Sequence, residues 1–207
     1  TLDPVTFSIL TGRLEQIADE MDATLYRSAF NPIIAEARDA CHGLYHAETG
    51  ATLVQGQKGL PIFVGAMAFA VKAVIDKVAA GAGVAEGDTF IFNDPYAGGT
   101  HLNDFRLVRP LMRQGRIFAW LASVGHWLDI GGNVAGGYNP QATESHQEGV
   151  LIPPVKLFRR GVLQQDIVDI LQANSRVPLS NWGDLNGQLN ALDLGERIVL
   201  GPRQIDT

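Results

Sequence analysis

Cysteine is nearly absent from this sequence, since Cys41 is the single example among 207 residues. An intrachain disulfide is therefore impossible, and a reducing cytoplasm is the compartment that the composition favours. The N-terminal stretch TLDPVTFSILTGRLEQ lacks the basic and apolar segments of a secretion signal. The longest apolar run, LPIFVGAMAFAVKAVI, is interrupted by Lys72 and falls short of the roughly 20 residues that a membrane-spanning helix needs. We expect a cytoplasmic protein without a membrane partner.

Basic clusters are also missing. The formal net charge is −6, and no run of basic and aromatic residues offsets it. Because nucleic acids and anionic membrane surfaces attract basic protein surfaces, this charge argues against both classes of partner. A hydrophobic content of 46% with 18% charged residues is typical of a globular protein with a buried core.

Three common enzyme motifs are absent as well. The sequence has no Gly-x-x-x-x-Gly-Lys-Ser/Thr phosphate loop, no Gly-x-Gly-x-x-Gly motif after a strand and no Gly-x-Ser-x-Gly nucleophile turn. We therefore predict no cofactor-binding residues for ATP or a dinucleotide in this chain.

The N-terminal region predicts one long amphipathic helix over residues 4–29. Asp3 and Pro4 are typical of a helix N-cap followed by the first helical position. Apolar residues then recur at steps of three and four, which is the spacing of one helix face. These residues are Leu10, Leu14, Ile17, Met21 and Leu25.

The middle of the chain predicts hairpins. Residues 40–56 (ACHGLYHAETGATLVQG) and 105–125 (FRLVRPLM, RQGR, IFAWLASVG) each contain two apolar strands joined by a turn. Residues 61–80 are apolar on nearly all sides, which predicts a helix buried between layers. Residues 89–94 (TFIFND) predict a short strand, and the polar, Gly-rich residues 129–149 predict a long loop.

The last third predicts extended structure over 150–163, a helix over 164–174, and a connection over 175–185 (SRVPLSNWGDL). A final helical pattern runs through Leu189, Leu192 and Ile198, and no element is predicted for the closing GPRQIDT. The fold class that follows is α+β, with a mixed, mainly antiparallel, hairpin-built sheet flanked by helices.

Two His-x-x-Asp pairs are the strongest chemical signal. His101 and Asp104 lie in NDPYAGGTHLNDF, and His126 and Asp129 repeat the spacing in GHWLDIGG. Such side chains, converging with an open position, form catalytic sites for ions such as Zn²⁺, Mn²⁺ or iron. The spacing alone leaves open a second interpretation, in which His101 caps a turn and Asp104 pairs with Arg106.

Three further polar residues lie near these pairs in sequence. Asp94 is either a third carboxylate of the site or the first residue of a β-turn. His146 and Glu148, in ATESHQEGV, are candidates for a general base or for residues that support the site, and a solvated loop tip is the alternative.

The remaining histidines and the cysteine favour structural roles. His42 and His46 are at even spacing in a predicted strand, so they share one face, for which we expect a solvated or partner-facing edge. Cys41 is next to His42, but neighbouring strand residues point to opposite sides, so a half-buried structural cysteine is favoured over a nucleophile.

The ordered blocks identify a resemblance. RLEQIADEMDATLYRSAFNPIIAEARD, GDTFIFNDPYAGGTHLNDF, GHWLDIGG and QEGVLIPPVKLF occur in this order, and together they closely resemble the hydantoinase B/oxoprolinase family. That family includes subunits of ATP-dependent hydantoinases, the C-terminal half of 5-oxoprolinase, and metal-carrying subunits of acetone and acetophenone carboxylases.

The resemblance implies a metal centre. The family pattern transfers the metal ligands onto His101, Asp104 and His126, with Zn²⁺ or Mn²⁺ as the expected ion. Asp94 and Asp129 are then expected to orient a ligand imidazole, and Glu148 and His146 to transfer protons.

The resemblance also implies a partner and a reaction. The expected partner is a hydantoinase A-type subunit that binds ATP and Mg²⁺ and phosphorylates a small carbonyl substrate, in a hetero-oligomer. The reaction favoured is hydrolysis of a cyclic amide such as a hydantoin, oxoproline or lactam. Ketone carboxylation is the first alternative, and an inactive structural subunit is the second.

Two features depart from the family pattern. Residues 1–207 are shorter than a family subunit, so we expect them to be its N-terminal portion. Phe63 and Trp127 stand where many members have histidine. These changes suggest a more apolar pocket and a hydrophobic or aromatic substrate.

Overall fold

The structure is a computed structural model that describes residues 3–201. The closing stretch for which no element was predicted lies, from residue 202 onward, outside the described residues. The helices are α1 (Pro4–Ser28), α2 (Pro32–Ala35), α3 (Ile62–Lys77), α4 (Gln165–Ala173) and α5 (Pro178–Leu200). The strands are β1 (Ala40–His46), β2 (Thr52–Gln55), β3 (Thr89–Phe92), β4 (Asp104–Arg113), β5 (Arg116–His126), β6 (Val155–Arg159) and β7 (Val162–Leu163).

Helix α1 confirms the predicted long N-terminal helix. It begins at Pro4 because the Asp3 carboxylate accepts hydrogen bonds from the backbone N–H groups of Val5 (3.1 Å) and Thr6 (3.0 Å). The C-terminal half of its predicted apolar stripe is buried, at Ile17, Met21 and Leu25. Helix α1 therefore covers the sheet with that half.

One seven-stranded sheet forms the middle layer, in the order β2-β1-β5-β4-β3-β6-β7. Every pairing is antiparallel, and the two predicted hairpins are β1–β2 and β4–β5. One sheet face packs against α1, α4 and α5, and the other packs against α3. The α+β prediction is confirmed, and the helices on both faces explain why β4 is buried along most of its length.

The prediction that residues 61–80 form a helix buried between layers is wrong in part. Helix α3 buries Phe63, Met67 and Val74 against the sheet. Its opposite side leaves Ile62 and Phe69 exposed, at 62% and 70% of their surface. The described residues place no second layer over α3, so an apolar pattern around the whole helix did not mean burial on all sides.

The predicted edge position of His42 is also wrong. Strand β1 lies between β2 and β5, and α1 covers it, so the His42 side chain is fully buried. His46 is exposed at the end of the same strand. Sheet order, which strand spacing alone does not fix, decides this difference.

The connection predicted over 175–185 is helical for most of its length. Helix α5 begins at Pro178, since proline is well suited to the first turn of a helix, where its missing N–H has no partner to lose. Within residues 3–201, no helix has the length and apolar character needed to cross a membrane.

Candidate metal centre

The ends of three adjacent strands bring the site together. Asp104 begins β4 and pairs directly with His126, which ends β5. On the other side of β5, the backbone N–H of His126 donates to the carbonyl of Asp39, just before β1, at 3.0 Å. A central region of the sheet therefore presents two carboxylates and one imidazole at the same end.

A glycine-containing turn delivers His101 to this place. A Cβ atom at Gly98 would lie 2.4 Å from the backbone of Phe69 and Ala70 on α3. This close approach requires glycine, which also suits the positive φ of 80°. The turn therefore lies directly on α3 and leads His101 to the start of β4.

Two asparagines hold the histidine segments together, and sequence reasoning missed both. Asn93 donates from its side chain to the carbonyl of Leu102 at 2.7 Å, which anchors the turn to β3. Asn103 donates to the carbonyl of Trp127 at 2.8 Å, and the N–H of Trp127 donates to the carbonyl of Asn103 at 2.8 Å. These paired bonds fix the two histidine segments against each other.

The donor atoms of His101, Asp104 and His126 lie within 4.8 Å of one another. Nε2 of His101 is 3.5 Å from Oδ2 of Asp104, and Nδ1 of His126 is 3.5 Å from Oδ1 of the same carboxylate. The Asp104 side chain is 2% exposed, whereas His101 is 51% exposed. The group is thus buried on the Asp104 side and open on the His101 side.

This arrangement fits a divalent metal ion. Two ligand atoms at about 2.1 Å from a tetrahedral ion are about 3.4 Å apart, which is close to both 3.5 Å separations. Oδ1 of Asp104 and Nδ1 of His126 are buried and have no hydrogen-bond partner in the described part of the chain. Since buried polar atoms normally have partners, a cation bound between them accounts for both.

The surroundings keep Asp104 ionised. Burial by itself raises the pKa of this carboxyl. The hydrogen bond with His126, the charge of His101, the Thr100 hydroxyl and the Arg106 guanidinium together bring the pKa below its ordinary value. An ionised carboxylate is the form that binds a cation.

Asp39 is a functional candidate that sequence reasoning missed. Its Oδ2 atom lies 3.5 Å from Nδ1 of His126. Burial raises the pKa of Asp39 above its usual value; the charge of His126 opposes this rise and the Asp104 carboxylate adds to it. The only sequence signal was its place directly before β1, and the β1–β5 pairing that gives it meaning is not visible in the sequence.

Asp94 and Asp129 each organise a loop. The Asp94 carboxylate accepts from the N–H of Tyr96 at 2.9 Å and so starts the turn that leads to His101. Asp129 accepts from the N–H groups of Gly131 (3.0 Å) and Gly136 (2.9 Å), and from the Arg176 side chain. Burial alone would raise the pKa of Asp129, but these hydrogen bonds lower it. Its recorded partners are in the loop after His126 and at Arg176.

His146 and Glu148 lie at the end of the long loop. A short helical turn, Ser145–Gln147, contains His146, and the N–H of Glu148 donates to the carbonyl of Ser145 at 3.0 Å. His146 is exposed, and Glu148 is half-buried. Neither belongs to the group formed by His101, Asp104 and His126.

The two departures from the family pattern have buried positions. Phe63 packs between α3 and the sheet. Trp127 stacks on Phe105 with ring centroids 4.0 Å apart, and its indole N–H donates to the side chain of Gln188 at 3.0 Å. Both side chains are core residues, so the apolar substrate pocket inferred from them has no support in their contacts.

Cys41 is a buried structural residue. It is fully rather than half buried, and burial, together with the nearby Asp22 carboxylate, raises the pKa of its thiol to about 12. Since the thiolate is the nucleophile, the thiol is unreactive at neutral pH.

Comparison with known proteins follows the same pattern. The sequence profile of the hydantoinase B/oxoprolinase family matches residues 3–201. Caprolactamase subunit beta from Pseudomonas jessenii is 36% identical over 200 residues, which cover 97% of this chain and 34% of that protein.

Two solved structures share the fold over nearly the whole chain. The crystal structure of the ATP-dependent caprolactamase from Pseudomonas jessenii has a TM-score of 0.87 at 34% identity, and the match covers 97% of this chain and 34% of that one. The nucleotide-free structure of an acetone carboxylase, from work on ATP-dependent acetone carboxylation, has a TM-score of 0.89 at 25% identity, covering 96% and 26%. The chain thus spans about a third of the length of the caprolactamase subunit.

Proposed function

The chain belongs to the hydantoinase B/oxoprolinase family, and we propose that it carries the metal site of an ATP-dependent enzyme that opens a cyclic amide. The observation that supports this most directly is the convergence of His101, Asp104 and His126 at the ends of β4 and β5. We also propose that residues 1–207 correspond to the N-terminal portion of a family subunit.

The proposed ligand atoms are Nε2 of His101, Nδ1 of His126 and a carboxylate oxygen of Asp104. Asp39, beside His126, is the additional carboxylate nearest to this set. A bound Zn²⁺ or Mn²⁺ ion supplies a Lewis acid for a carbonyl or phosphorylated oxygen and lowers the pKa of a water molecule.

Substrate approaches from the side of His101, because this imidazole is half exposed while Asp104 is buried. We assign proton transfer to Glu148 and His146, whose loop begins three residues after His126. Asp94 and Asp129 support the site by holding the turn before His101 and the loop after His126.

The reaction proposed is hydrolysis of an amide that a partner subunit has activated with ATP. Water adds to the carbonyl carbon, the C–N bond breaks, the ring nitrogen takes up a proton, and phosphate leaves from the activated oxygen. Caprolactamase, a protein named for such a lactam substrate, has the higher sequence identity of the two solved relatives. The word subunit in the name of that relative supports a partner for this chain, which we propose to be a hydantoinase A-type ATP-binding subunit.

Ketone carboxylation is the second candidate function. The observation that favours it is the TM-score of 0.89 to the acetone carboxylase, which equals or exceeds the fold similarity to caprolactamase. In that reaction an activated enol takes up carbon dioxide derived from bicarbonate, and the same metal site polarises the substrate oxygen.

One assay distinguishes the two reactions. The complex of the full-length protein with its partner subunit is incubated with ATP and either a lactam or a ketone with labelled bicarbonate. We expect ring-opened amino acid from the lactam, and a rate reduced more than about 100-fold by His101→Ala, since the ion is expected to supply the Lewis acid.

His46→Ala is the control, because His46 is an exposed histidine outside the site. It should retain the wild-type rate. Labelled acid from the ketone, without ring opening, would reject amide hydrolysis. Unchanged activity in His101→Ala would reject the metal mechanism and favour a structural subunit.

A further inference from the structure

The two oxygens of the Asp104 carboxylate have different environments. Oδ2 accepts a hydrogen bond from the Thr100 hydroxyl. Oδ1 is buried, faces Nδ1 of His126 at 3.5 Å, and has no hydrogen-bond partner within residues 3–201. One oxygen is therefore held by the protein, and the other remains available to a cation.

Arg106 determines the direction of the Thr100 hydroxyl. Its Nη2 atom donates to the Thr100 oxygen at 2.8 Å. A guanidinium only donates and an ionised carboxylate only accepts, whereas a hydroxyl does both. Because Arg106 occupies a lone pair of Thr100, the single hydroxyl proton points to Oδ2 of Asp104.

Arg106 itself is fixed in place. Its side chain is fully buried, and Nη1 donates to the backbone carbonyl of Asp104 at 2.6 Å. The planar guanidinium thus contacts the backbone of Asp104 and the Thr100 hydroxyl with two neighbouring nitrogens, a geometry that lysine cannot reproduce. Burial lowers the pKa of Arg106 to about 10, against the opposing effect of Asp104, so the group stays charged at neutral pH.

We propose that Thr100, oriented by Arg106, is a positioning residue that holds Oδ2 of Asp104 and so turns Oδ1 towards the metal position. This inference rests on the proposed function, since it assumes that Asp104 is a metal ligand. It goes beyond that function by giving roles to two residues that contact neither substrate nor metal ion.

The same strand contains a matched control pair. Arg109 is also a buried arginine of β4, and its Nε atom donates to the hydroxyl of the buried Thr89 at 3.0 Å. Its other partners are Asp193 and Glu196 on α5. Thr89 thus reproduces the threonine–arginine contact of Thr100, but none of its recorded partners is a candidate ligand.

The test measures Zn²⁺ affinity in the full-length protein by competition with a chelator. Thr100→Val removes the hydroxyl at nearly constant volume and should weaken Zn²⁺ binding about 10- to 100-fold, the usual effect of losing a residue that orients a metal ligand. Thr100→Ser keeps the hydroxyl and should bind within about threefold of wild type, as should the control Thr89→Val, because neither change alters the contacts of Asp104.

A second variant and a second signal protect the test from misfolding. Arg106→Lys keeps the buried charge but loses the two-nitrogen contact, and should weaken Zn²⁺ binding about tenfold. With Co²⁺ in place of Zn²⁺, the visible absorption band should change shape in Thr100→Val and stay unchanged in Thr89→Val.

The outcomes separate the two levels of the proposal. Wild-type protein that binds no stoichiometric Zn²⁺ or Co²⁺ overturns the proposed metal site, and the role of Thr100 with it. Wild-type binding together with equal affinities in Thr100→Val, Arg106→Lys and Thr89→Val overturns the positioning role alone. A loss of affinity in Thr89→Val as large as that in Thr100→Val also overturns it, because it would show a general effect on the sheet.

Discussion

Single residues in this protein take roles that their chemistry alone does not define. Gln188 donates to the Ser123 hydroxyl (3.2 Å), and Ser123 lies 2.9 Å from Nε2 of His42. Nδ1 of His42 lies 2.8 Å from the Asp22 carboxylate. These contacts resemble those of a serine hydrolase triad, but all three side chains are fully buried. The chain of hydrogen bonds instead joins α1, β1, β5 and α5.

This interpretation predicts a purely structural effect of Ser123→Ala. The change leaves the buried groups of His42 and Gln188 each without a partner, and should lower the free energy of unfolding by about 1–3 kcal/mol. The rate of the enzyme complex should stay within about twofold of wild type, because Ser123 contacts no ligand. Urea unfolding and the steady-state rate provide both measurements. A large loss of rate at unchanged stability would give Ser123 a chemical role instead.

The site residues show which parts of a metal centre the sequence can reveal. His101 and Asp104 are close in sequence, so their spacing is visible, and the ordered blocks supplied the ligand set that the spacing left open. Asp39 was missed because its position depends on the pairing of β1 with β5, which are distant in sequence. Thr100 and Arg106 were missed as a pair because a supporting role depends on side-chain direction, for which the sequence has no signal.

Elements of the fold were predicted where local patterns decide them. Helix α1 and the two hairpins follow from a cap, from periodicity and from turn residues. The burial of α3 and the depth of β1 depend on which layers cover them, and these predictions were wrong. An apolar pattern gives the tendency to pack, while the sheet order decides what packs there.

At the element scale, Asp88 joins β3 to β6. Its carboxylate is 2.7 Å from the ammonium of Lys156 and accepts from the N–H groups of Ala85 (3.0 Å) and Arg160 (2.8 Å). Burial would raise the pKa of Asp88, but the Lys156 hydrogen bond and the two backbone bonds lower it overall. The ionised form therefore stabilises the folded protein.

We predict that Asp88→Asn lowers the free energy of unfolding by about 1–3 kcal/mol at pH 7. Because the folded pKa lies below the unfolded value of about 3.9, the stabilisation is complete above that pH and is lost as the pH falls through the folded pKa. The difference between wild type and variant should therefore shrink in acid, as measured by urea unfolding at pH 7 and pH 3. Asp76→Asn, which alters the exposed Lys72–Asp76 pair, should change stability little. A pH-independent difference for Asp88→Asn would contradict this account.

On the scale of the whole molecule, the sheet serves as a frame and its central strands carry the site. Helices on both faces bury β4 and β5, which fixes the ends where Asp104 and His126 meet. His101 remains half exposed, and the chain spans about a third of the caprolactamase subunit that it resembles. The open side of the metal centre is therefore where the substrate and the rest of the enzyme are expected to meet it.

The most direct test of this account is the metal content of the purified full-length protein, measured by elemental analysis after removal of loosely bound ions. We predict a stoichiometric divalent ion in wild type, loss of that ion in His126→Ala because the site then retains too few ligands, and full retention in the control His46→Ala. A wild-type protein without a stoichiometric ion, or a His126→Ala variant that retains it in full, would contradict the central claim.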